Sequence, residues 1–202
     1  VTSFCFGGKM SHYFTNDNLV SEIKKVNVEF MDTSFTFNTD NGVFSKGELD
    51  FGTYLLLKNT ASLVYGDVLD LGCGYGAIGI ILNKIASAHV TMVDVNRRAV
   101  HLSAMNIKEN GCLNAKCLVS DGISEIKDEK FDFVVTNPPI RVGKQKLYEL
   151  ILDSKKCLKE NGEIYLVIRK QQGANSFIKD MQKSFDVNIV DKDKGFLIIC
   201  LK

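Results

Sequence analysis

From residue 67 onward, strand-length apolar segments alternate with helix-length amphipathic segments, and no other feature of this sequence restricts the possible folds as strongly. Strands that are separated by helices of this length form βαβ units and a mainly parallel sheet. Only a short charged turn separates the last two apolar segments, so we predict an antiparallel hairpin there. The predicted strands are residues 68–71, 89–93, 115–119, 131–136, 163–168, 187–190 and 196–201, and the predicted helices are residues 77–86, 97–110, 146–158 and 175–185.

These elements predict an α/β, Rossmann-like fold with a seven-stranded, mostly parallel sheet, a C-terminal antiparallel hairpin and helices on both faces. Before them, alternating apolar residues around a turn at residues 31–34 predict a small β extension. We expect one domain over residues 1–202, with the N-terminal β extension at 10–48 and the Rossmann-like core at 49–202. Residues 1–9 precede Met10, and we expect them to be an alternative start or an expression remnant.

The composition disfavours several classes of protein. Hydrophobic residues make up 45% and charged residues 24% of the chain, which is typical of a soluble globular protein. No apolar run reaches the roughly 20 residues that a membrane span needs, and the first residues lack the pattern of a secretory signal. The six cysteines are scattered without a C-x-x-C pair, so we expect reduced thiols in a cytoplasmic protein and no metal site. The formal net charge of +1 means that any surface for nucleic acid must be local.

A glycine-rich turn follows the first strand of the predicted core. It reads Asp70-Leu71-Gly72-Cys73-Gly74-Tyr75-Gly76, and the following helix offers free N–H groups at its start. Residues 74–79 match the G-x-G-x-x-G pattern of dinucleotide-binding folds, which would predict NAD. The carboxylate of Asp70, however, would oppose a pyrophosphate at this turn and would favour a cationic ligand, such as the amino group of a methionine moiety. The D-x-G-x-G-x-G string therefore favours S-adenosylmethionine over NAD.

Two acidic residues after the next strands are candidate ligands of a nucleotide. Asp94, followed by Val95, ends the second strand, where a carboxylate can accept hydrogen bonds from both ribose hydroxyls. Asp121 follows the third strand and could receive the adenine amino group, while Gly122 could leave room for the ring. A plain turn is the alternative interpretation of residues 121–122.

The string Asn137-Pro138-Pro139-Ile140 follows the fourth strand and contains both prolines of the chain. A strand terminator would explain a proline, but it would not explain the asparagine in front of the pair. The side-chain oxygen of Asn137 and the carbonyl of Pro138 could accept the two hydrogens of a conjugated amine. Such a pair would align the nitrogen lone pair with a sulfonium methyl group. We therefore predict amine methylation that depends on positioning rather than on a strong base.

These motifs resemble those of a known family. Residues 70–76 resemble motif I, and residues 137–139 resemble the amino-methylating motif IV, of class I S-adenosylmethionine-dependent methyltransferases. Nearly the whole chain from about residue 11 is similar to the ribosomal RNA small subunit methyltransferase C family, in its short, single-domain form. The strings that carry this similarity are residues 12–14, 40–45, 49–53, 137–143 and 167–173. The resemblance implies methyl transfer to guanine N2 of 16S ribosomal RNA, free or in the small ribosomal subunit.

The resemblance also implies roles for individual residues. The implied cofactor-binding residues are Asp70, Gly72, Cys73, Gly74 and Gly76 for the methionine part, Asp94 and Val95 for the ribose, Asp121 and Gly122 for the adenine, Phe44 and Ser45 as a cover, and Asn137. Asn137, with Pro138 and Pro139, would present the target amine. Ile140 departs from the family pattern, because many amino-methyltransferases have an aromatic residue there that stacks on the base. Such stacking is worth about 1–3 kcal/mol, so the base must be held in another way.

Basic residues cluster after the strands of the predicted core. Because the carboxyl ends of parallel strands share one edge of the sheet, these side chains would form a basic rim around the cofactor. We predict that the rim binds RNA phosphates, and ordinary exposed lysines are the alternative. The predicted substrate-binding residues are Lys46, Ile140, Arg141, Lys144, Arg169 and Lys170, with Lys146 beside them. The target base must lie in a loop or be flipped out of a helix.

Several other functions are open alternatives. Protein glutamine methyltransferases use the same Asn-Pro-Pro chemistry, but they usually have a tyrosine where this chain has Ile140. The basic rim disfavours a small-molecule methyltransferase, and an NAD-dependent oxidoreductase would leave Asn137 without a role. The presence of Asp70, Asn137 and Pro138 argues against a catalytically silent RNA-binding module. No apolar surface stripe predicts a particular oligomeric state.

Overall fold

The computed structural model of the protein describes residues 21–41, 43, 49–138 and 143–202. The strands are β1 (Lys24–Phe30), β2 (Thr33–Thr39), β3 (Asp67–Leu71), β4 (His89–Asp94), β5 (Ala115–Val119), β6 (Phe131–Thr136), β7 (Leu158–Arg169), β8 (Val187–Asp193) and β9 (Phe196–Leu201). The helices are α1 (Phe51–Thr60), α2 (Ala77–Ala86), α3 (Arg97–Glu109), α4 (Lys144–Ser154) and α5 (Ala174–Met181).

Seven of the strands form one mixed sheet in the order β5-β4-β3-β6-β7-β9-β8. Strands β3 to β7 run parallel to one another, and β9 runs antiparallel to both β7 and β8. The predicted α/β fold with a C-terminal antiparallel hairpin is therefore confirmed. From β3 in the middle the chain builds outward through β4 and β5, and it then returns to place β6 on the other side of β3. Open α/β sheets bind their ligands at such a switch point.

Helices cover both faces of this sheet because successive strand residues point to opposite sides. On β3, Val68 packs into one core with α1, α2 and α3, whereas Leu69 and Leu71 pack into a second core with α4 and α5. Full burial of such an aliphatic side chain stabilises the fold by about 1.5–3 kcal/mol. Two buried hydrophobic cores therefore hold the sheet between its helices. Among the described helices the longest, α3, has 13 residues, and none is both long and apolar enough to cross a bilayer.

The predicted N-terminal β extension is a separate, two-stranded antiparallel sheet of β1 and β2. Met31 and Asp32 have φ values of 46° and 58°, so the connection is a two-residue turn rather than the predicted turn at 31–34. Residues 33 and 34 already pair with β1. The hairpin buries Phe35 and Phe37 in the core that contains α2 and α3. Its apolar face therefore packs into the same hydrophobic core as one face of the large sheet.

Two predicted helix ends were wrong, and the helix predicted at 175–185 already ends at Met181. The helix predicted at 146–158 ends at Ser154, and β7 begins at Leu158 instead of residue 163. Leu158 already pairs with Phe131, and a register shift in the following residues accommodates the extra chain. Asn161 has a φ of 64° within this irregular segment. The Asn-Gly signal at 161–162 therefore marks a bulge within a strand, and sequence periodicity does not distinguish this from a helix end.

Candidate active site

The carboxyl ends of the parallel strands bring many of the predicted site residues to one edge of the sheet. The glycine-rich turn follows β3, Asp94 ends β4, Asp121 follows β5, Asn137 follows β6 and Arg169 ends β7. A side chain joins the ends of β3 and β6 directly, because Oγ1 of Thr136 donates a hydrogen bond to the carbonyl of Leu71 at 2.6 Å. This bond places Asn137 beside the glycine-rich turn.

The glycine-rich turn is bound to the end of β4. The N–H groups of Gly72 and Cys73 both donate to the carbonyl of Val93, at 2.8 and 2.9 Å. Gly74 has a φ of +57°, and a Cβ added there would have no atom within 4 Å. Glycine suits this backbone conformation, and the open space beside it leaves room for a ligand. Gly76 then begins α2 as its N-cap with a φ of 91°.

Asp70 lies beneath this turn and not on its surface, since its side chain is 0% exposed. Oδ2 accepts a hydrogen bond from the N–H of Gly79 in α2 at 2.8 Å, whereas Oδ1 is buried without a partner among the described residues. Burial raises the pKa of Asp70 to about 7; the Gly79 hydrogen bond opposes this shift and the charge of Asp94 adds to it. A buried carboxylate oxygen without a donor costs free energy, so function explains this position better than stability does.

Helix α3 holds the glycine-rich turn from one side. Oγ of Ser103 donates to the carbonyl of Gly74 at 2.9 Å, and Nδ2 of Asn106 donates to the carbonyl of Tyr75 at 2.8 Å. The thiol of Cys73 lies 3.6 Å from Oγ of Ser103, and burial raises the pKa of this thiol. The side chain of Cys73 therefore lies in the protein interior, and only its backbone belongs to the turn.

Asn106 also connects the N-terminal hairpin to this turn. Its Oδ1 accepts hydrogen bonds from the N–H and the Nδ2 of Asn38 at 2.7 and 2.9 Å, and its Nδ2 donates to the Asn38 carbonyl at 3.0 Å. One turn later, Asn110 exchanges hydrogen bonds with the N–H and the carbonyl of Thr36, at 3.0 and 2.8 Å. Two amides of α3 thus bind the backbone of β2. The sequence prediction assigned no such role to either asparagine.

Asp94 engages backbone N–H groups with both of its carboxylate oxygens. Oδ2 accepts from Gly74 at 2.9 Å, and Oδ1 accepts from Asn96 at 2.8 Å. Burial raises the pKa of Asp94, and hydrogen bonds from the backbone of Asn96, Gly74 and Val95 oppose that shift. A carboxylate can accept about four hydrogen bonds. Asp94 can therefore order the turn and still accept bonds from a ligand.

The first turn of α1 holds the side-chain amide of Asn137. Nδ2 donates to Oγ1 of Thr53 at 2.9 Å, and it lies 3.5 and 3.4 Å from the two carboxylate oxygens of Asp50. Asp50 is itself fixed as the N-cap of α1, because it accepts hydrogen bonds from the N–H groups of Gly52 and Thr53. Pro138, the next residue after Asn137, is buried.

These contacts determine which end of the Asn137 amide is free. The Thr53 hydroxyl donates its proton to Oδ2 of Asp50, so Oγ1 of Thr53 can only accept from Asn137, and an ionised carboxylate also only accepts. The NH₂ end of the amide must therefore face Asp50 and Thr53. Oδ1 of Asn137 has no donor among the described residues. It remains available to accept a hydrogen bond from an amine.

Asp121 is exposed, and its Oδ1 lies 2.9 Å from Nζ of Lys146 on α4. Gly122 has a φ of +59°, and a Cβ there would lie 3.2 Å from the side chain of Leu150. The sequence prediction treated Asp121 and Lys146 as separately available to ligands, whereas they neutralise each other. An exposed ion pair is worth at most about 1 kcal/mol, so a ligand can replace either partner.

The predicted basic rim divides into two parts. Lys144 at the start of α4 forms an ion pair with Asp180 at 3.3 Å. Arg169 and Lys170, at and after the end of β7, are exposed and form no ion pair with any described residue. Among the members of the rim that the structure describes, the unneutralised positive charge therefore lies on the β7 side of the edge.

Six predicted site residues lie outside the described residues: Phe44, Ser45, Lys46, Pro139, Ile140 and Arg141. Residues 40 and 41 contact α3, because Nη1 of Arg98 donates to the carbonyl of Asn41 at 3.0 Å and lies 3.7 Å from Oδ2 of Asp40. Within the described ranges, no group of three His, Cys, Asp or Glu side chains could hold a metal ion.

Asp50 and Thr53 belong to the site, although the sequence prediction assigned them no role. One local signal was present, because aspartate is a preferred N-cap residue. Thr53 and Asn137, however, are 84 residues apart in the chain. Nothing in the local pattern indicates that this helix begins beside the end of β6.

Comparison with known sequences places the chain in a family. Residues 34–200 match the family described as methyltransferase small domain. The chain is 41% identical over 196 residues to the uncharacterized protein YbxB of Bacillus subtilis. That alignment covers 95% of this chain and 98% of YbxB. It is 39% identical over 142 residues to ribosomal RNA small subunit methyltransferase C of Haemophilus influenzae, and this alignment covers 68% of this chain. The matched region spans 41% of that longer relative.

Solved structures show the same fold. A T. thermophilus 16S rRNA N2 methyltransferase, solved with AdoMet and guanosine, has a TM-score of 0.80 and 24% identity, over 89% of this chain and 50% of that one. A ribosomal protein L11 methylase from Lactobacillus delbrueckii has a TM-score of 0.66 and 20% identity, over 79% of this chain and 80% of that one. The predicted class I methyltransferase fold is confirmed. The chain belongs to the methyltransferase small domain family of S-adenosylmethionine-dependent methyltransferases.

Proposed function

We propose that this chain methylates the exocyclic N2 of a guanine in 16S ribosomal RNA, free or in the small ribosomal subunit, with S-adenosylmethionine as its cofactor. The observation that carries the proposal is the Asn137 amide beside the glycine-rich turn: its nitrogen is bound by Thr53, and its oxygen has no donor among the described residues. A free acceptor at this place suits an amine target. The name of the H. influenzae relative supports small-subunit ribosomal RNA as the substrate. The guanosine bound to the T. thermophilus protein supports guanine as the base.

The residues present fit S-adenosylmethionine, which supplies an electrophilic methyl group on a sulfonium when it is bound. The open space at Gly74 leaves room for a ligand against the turn. Asp94 would accept the ribose hydroxyls, and Asp121 would accept the adenine amine. Asp70 would favour a cationic ligand through its charge beneath the turn rather than through direct contact, because its side chain is fully buried.

Asn137 and Pro138 would position the target amine. The Asn137 Oδ1 and the Pro138 carbonyl would accept the two amine hydrogens and so direct the nitrogen lone pair toward the cofactor. This lone pair is otherwise delocalised into the base. The rate gain comes from orientation and from stabilisation of the positive charge that develops on the amine, so the site needs no strong base.

Arg169 and Lys170 would bind RNA phosphates, because both are exposed and neither is neutralised by a described carboxylate. A paired target base would have to be flipped out before it could reach Asn137. The N-terminal hairpin and the core would act as one domain, since Asn106 hydrogen-bonds to both. The proposed place of action is the cytoplasm, where ribosomal RNA is found.

The test is methyl transfer from labelled S-adenosylmethionine to small ribosomal subunits that lack the modification, followed by identification of the methylated nucleoside. We expect N2-methylguanosine. We expect Asn137→Ala to lower turnover about a hundredfold while it retains affinity for S-adenosylhomocysteine. Asn188→Ala is the matched control, since Asn188 is exposed on β8.

Two results would contradict this proposal. Label that enters a protein rather than RNA would identify a protein amide as the target. Loss of cofactor binding in Asn137→Ala would show that Asn137 supports the cofactor and not the amine.

A further inference from the structure

Four side chains on the β7 side of the edge form a continuous surface of paired cations and rings. The guanidinium carbon of Arg169 lies 4.5 Å from the ring centroid of Phe196, and Nζ of Lys194 lies 4.5 Å from the ring centroid of Phe51. The two ring centroids are 5.6 Å apart, with an interplanar angle of 55°. Arg169, Lys194, Phe51 and Phe196 are called the cation–aromatic strip below.

The β8–β9 hairpin positions this strip. Phe196 begins β9 and is the direct register partner of Arg169 at the end of β7. Lys194 and Gly195 have φ values of 44° and 79°, so they form a tight two-residue turn. The N–H of Lys170 donates to the carbonyl of Gly195 at 2.8 Å, which ties the turn to the end of β7.

The cation–aromatic strip adjoins the Asn137 amide through the first turn of α1. A Cβ on Gly52 would lie 2.8 Å from the ring of Phe196 and 3.1 Å from Oδ1 of Asp50. Asp50 in turn lies 3.4 Å from Nδ2 of Asn137. The ring of Phe196 thus packs against the same helix turn that holds Asn137. A polynucleotide that delivers a base to Asn137 can pass directly over the strip.

The cations of the strip carry unneutralised charge. Neither Arg169 nor Lys194 forms an ion pair with a described residue. Across the edge, by contrast, Lys144 and Lys146 are each paired with an aspartate. Of these four described basic residues, only the two on the β7 side are unpaired, which favours this side as the approach path of a polyanion.

We infer that the cation–aromatic strip binds the single-stranded RNA that flanks the target base. A guanidinium that lies on a ring can present its outer face to a nucleobase. Sites for single-stranded RNA combine such stacking surfaces with positive charge along the backbone. This inference rests on the proposed RNA substrate.

The test measures the affinity of a fluorescent single-stranded RNA of about 10 nucleotides, within the site sizes typical of such proteins. Fluorescence anisotropy would be recorded at several salt concentrations in the presence of S-adenosylhomocysteine. Arg169→Lys keeps the charge but removes the planar group, and Phe196→Leu keeps the apolar packing but removes the ring. Lys194→Ala removes a charge. The matched control is Lys84→Ala, because Lys84 is exposed near the C-terminal end of α2, toward the opposite edge of the sheet.

We expect Arg169→Lys and Phe196→Leu to bind the RNA at least about fivefold more weakly, as loss of one stacked base predicts, without a change in the salt dependence. Lys194→Ala should reduce the salt slope by about one, and Lys84→Ala should bind like the wild type. If Arg169→Lys and Phe196→Leu bind as tightly as the wild type, or if the wild type does not bind the RNA, the strip is not an RNA site. Arg169 is exposed, so Arg169→Lys should leave the fold intact. The RNA affinity of this variant therefore tests the strip even if Phe196→Leu unfolds.

Methylation assays separate this inference from the proposed function. If the wild type forms N2-methylguanosine in small subunits while Arg169→Lys and Phe196→Leu show an unchanged KM, the function holds and the strip is rejected. If RNA binding depends on the strip but no label enters RNA, the strip holds and the proposed guanine target is rejected.

Discussion

Nδ2 of Asn137 donates a hydrogen bond to Oγ1 of Thr53 at 2.9 Å, and this bond joins the end of β6 to the first turn of α1. Thr53 is buried and gives its own proton to Asp50. A reversed Asn137 amide would place its oxygen against two acceptors, which is unfavourable. The direction of the proposed catalytic oxygen is therefore determined by an N-capping motif in a distant part of the chain.

We expect Thr53→Ala to slow methyl transfer to small ribosomal subunits about tenfold or more, because the Asn137 amide loses its main acceptor and turns away from productive geometry. Affinity for S-adenosylhomocysteine should stay at the wild-type value. Single-turnover rates and calorimetric binding would be measured for Thr53→Ala and Thr53→Ser. The serine variant retains the hydroxyl and should recover most of the rate. Equal loss in both variants would show that the hydroxyl does not position Asn137.

Asp94→Ala should weaken S-adenosylhomocysteine binding about tenfold to a hundredfold, since hydrogen bonds to a charged group are worth about 1.5–3 kcal/mol. The carboxylate is proposed to bind the ribose, and it also holds the N–H of Gly74 in the turn. Isothermal titration calorimetry measures this loss. Asp128→Ala, an exposed aspartate after β5, is the control. An unchanged affinity in Asp94→Ala would remove this residue from the cofactor site.

The stability of the protein should depend on pH through Asp70. Burial raises the pKa of Asp70 to about 7 in the folded protein, whereas an aspartate in an unfolded chain has a pKa of about 3.9. Protonated Asp70 therefore stabilises the fold fully below about pH 4, and this contribution is lost as the pH rises through about 7. At about 1.4 kcal/mol per pKa unit, the total change is of the order of 4 kcal/mol.

The Asp70 prediction is checked by urea unfolding of the wild type and Asp70→Asn at several pH values between about 4 and 8. The wild type should lose stability relative to Asp70→Asn as the pH rises. All other titrating groups are present in both proteins, so the difference isolates Asp70. A difference that is constant with pH would mean that Asp70 ionises in the folded protein as readily as in the unfolded chain.

Asn106→Ala should lower the free energy of unfolding by about 3 kcal/mol or more. The substitution removes the side-chain partner of the N–H, the Nδ2 and the carbonyl of Asn38, and each buried group left unpaired costs about 1–3 kcal/mol. Urea unfolding measures the effect, with exposed Asn188→Ala as a control that should change stability by less than about 0.5 kcal/mol. A loss below about 1 kcal/mol for Asn106→Ala would show that the hairpin is not held through this amide.

Local sequence patterns determined the order of the strands and helices and the identity of the main motifs. Three features can be recognised in the sequence because backbone periodicity and turn chemistry depend on neighbouring residues. They are the apolar alternation from residue 67, the glycine-rich turn and Asn137-Pro138. Parallel βαβ connectivity then predicts that Asp94, Asp121 and Asn137 lie at one edge of the sheet. The family resemblance added the expectation of guanine N2 in 16S ribosomal RNA as the target.

Tertiary structure alone decided which side chains support those motifs. Thr53 orients Asn137, Asn106 fastens the hairpin to the turn, and Lys146 neutralises Asp121. Each of these contacts joins residues that are distant in sequence, and their pairing depends on how the two cores pack rather than on local propensity. Burial acts in the same way on Asp70, whose raised pKa follows from the helix packed over it. The sequence shows that an aspartate stands at position 70, but only the fold determines whether water can reach its carboxylate.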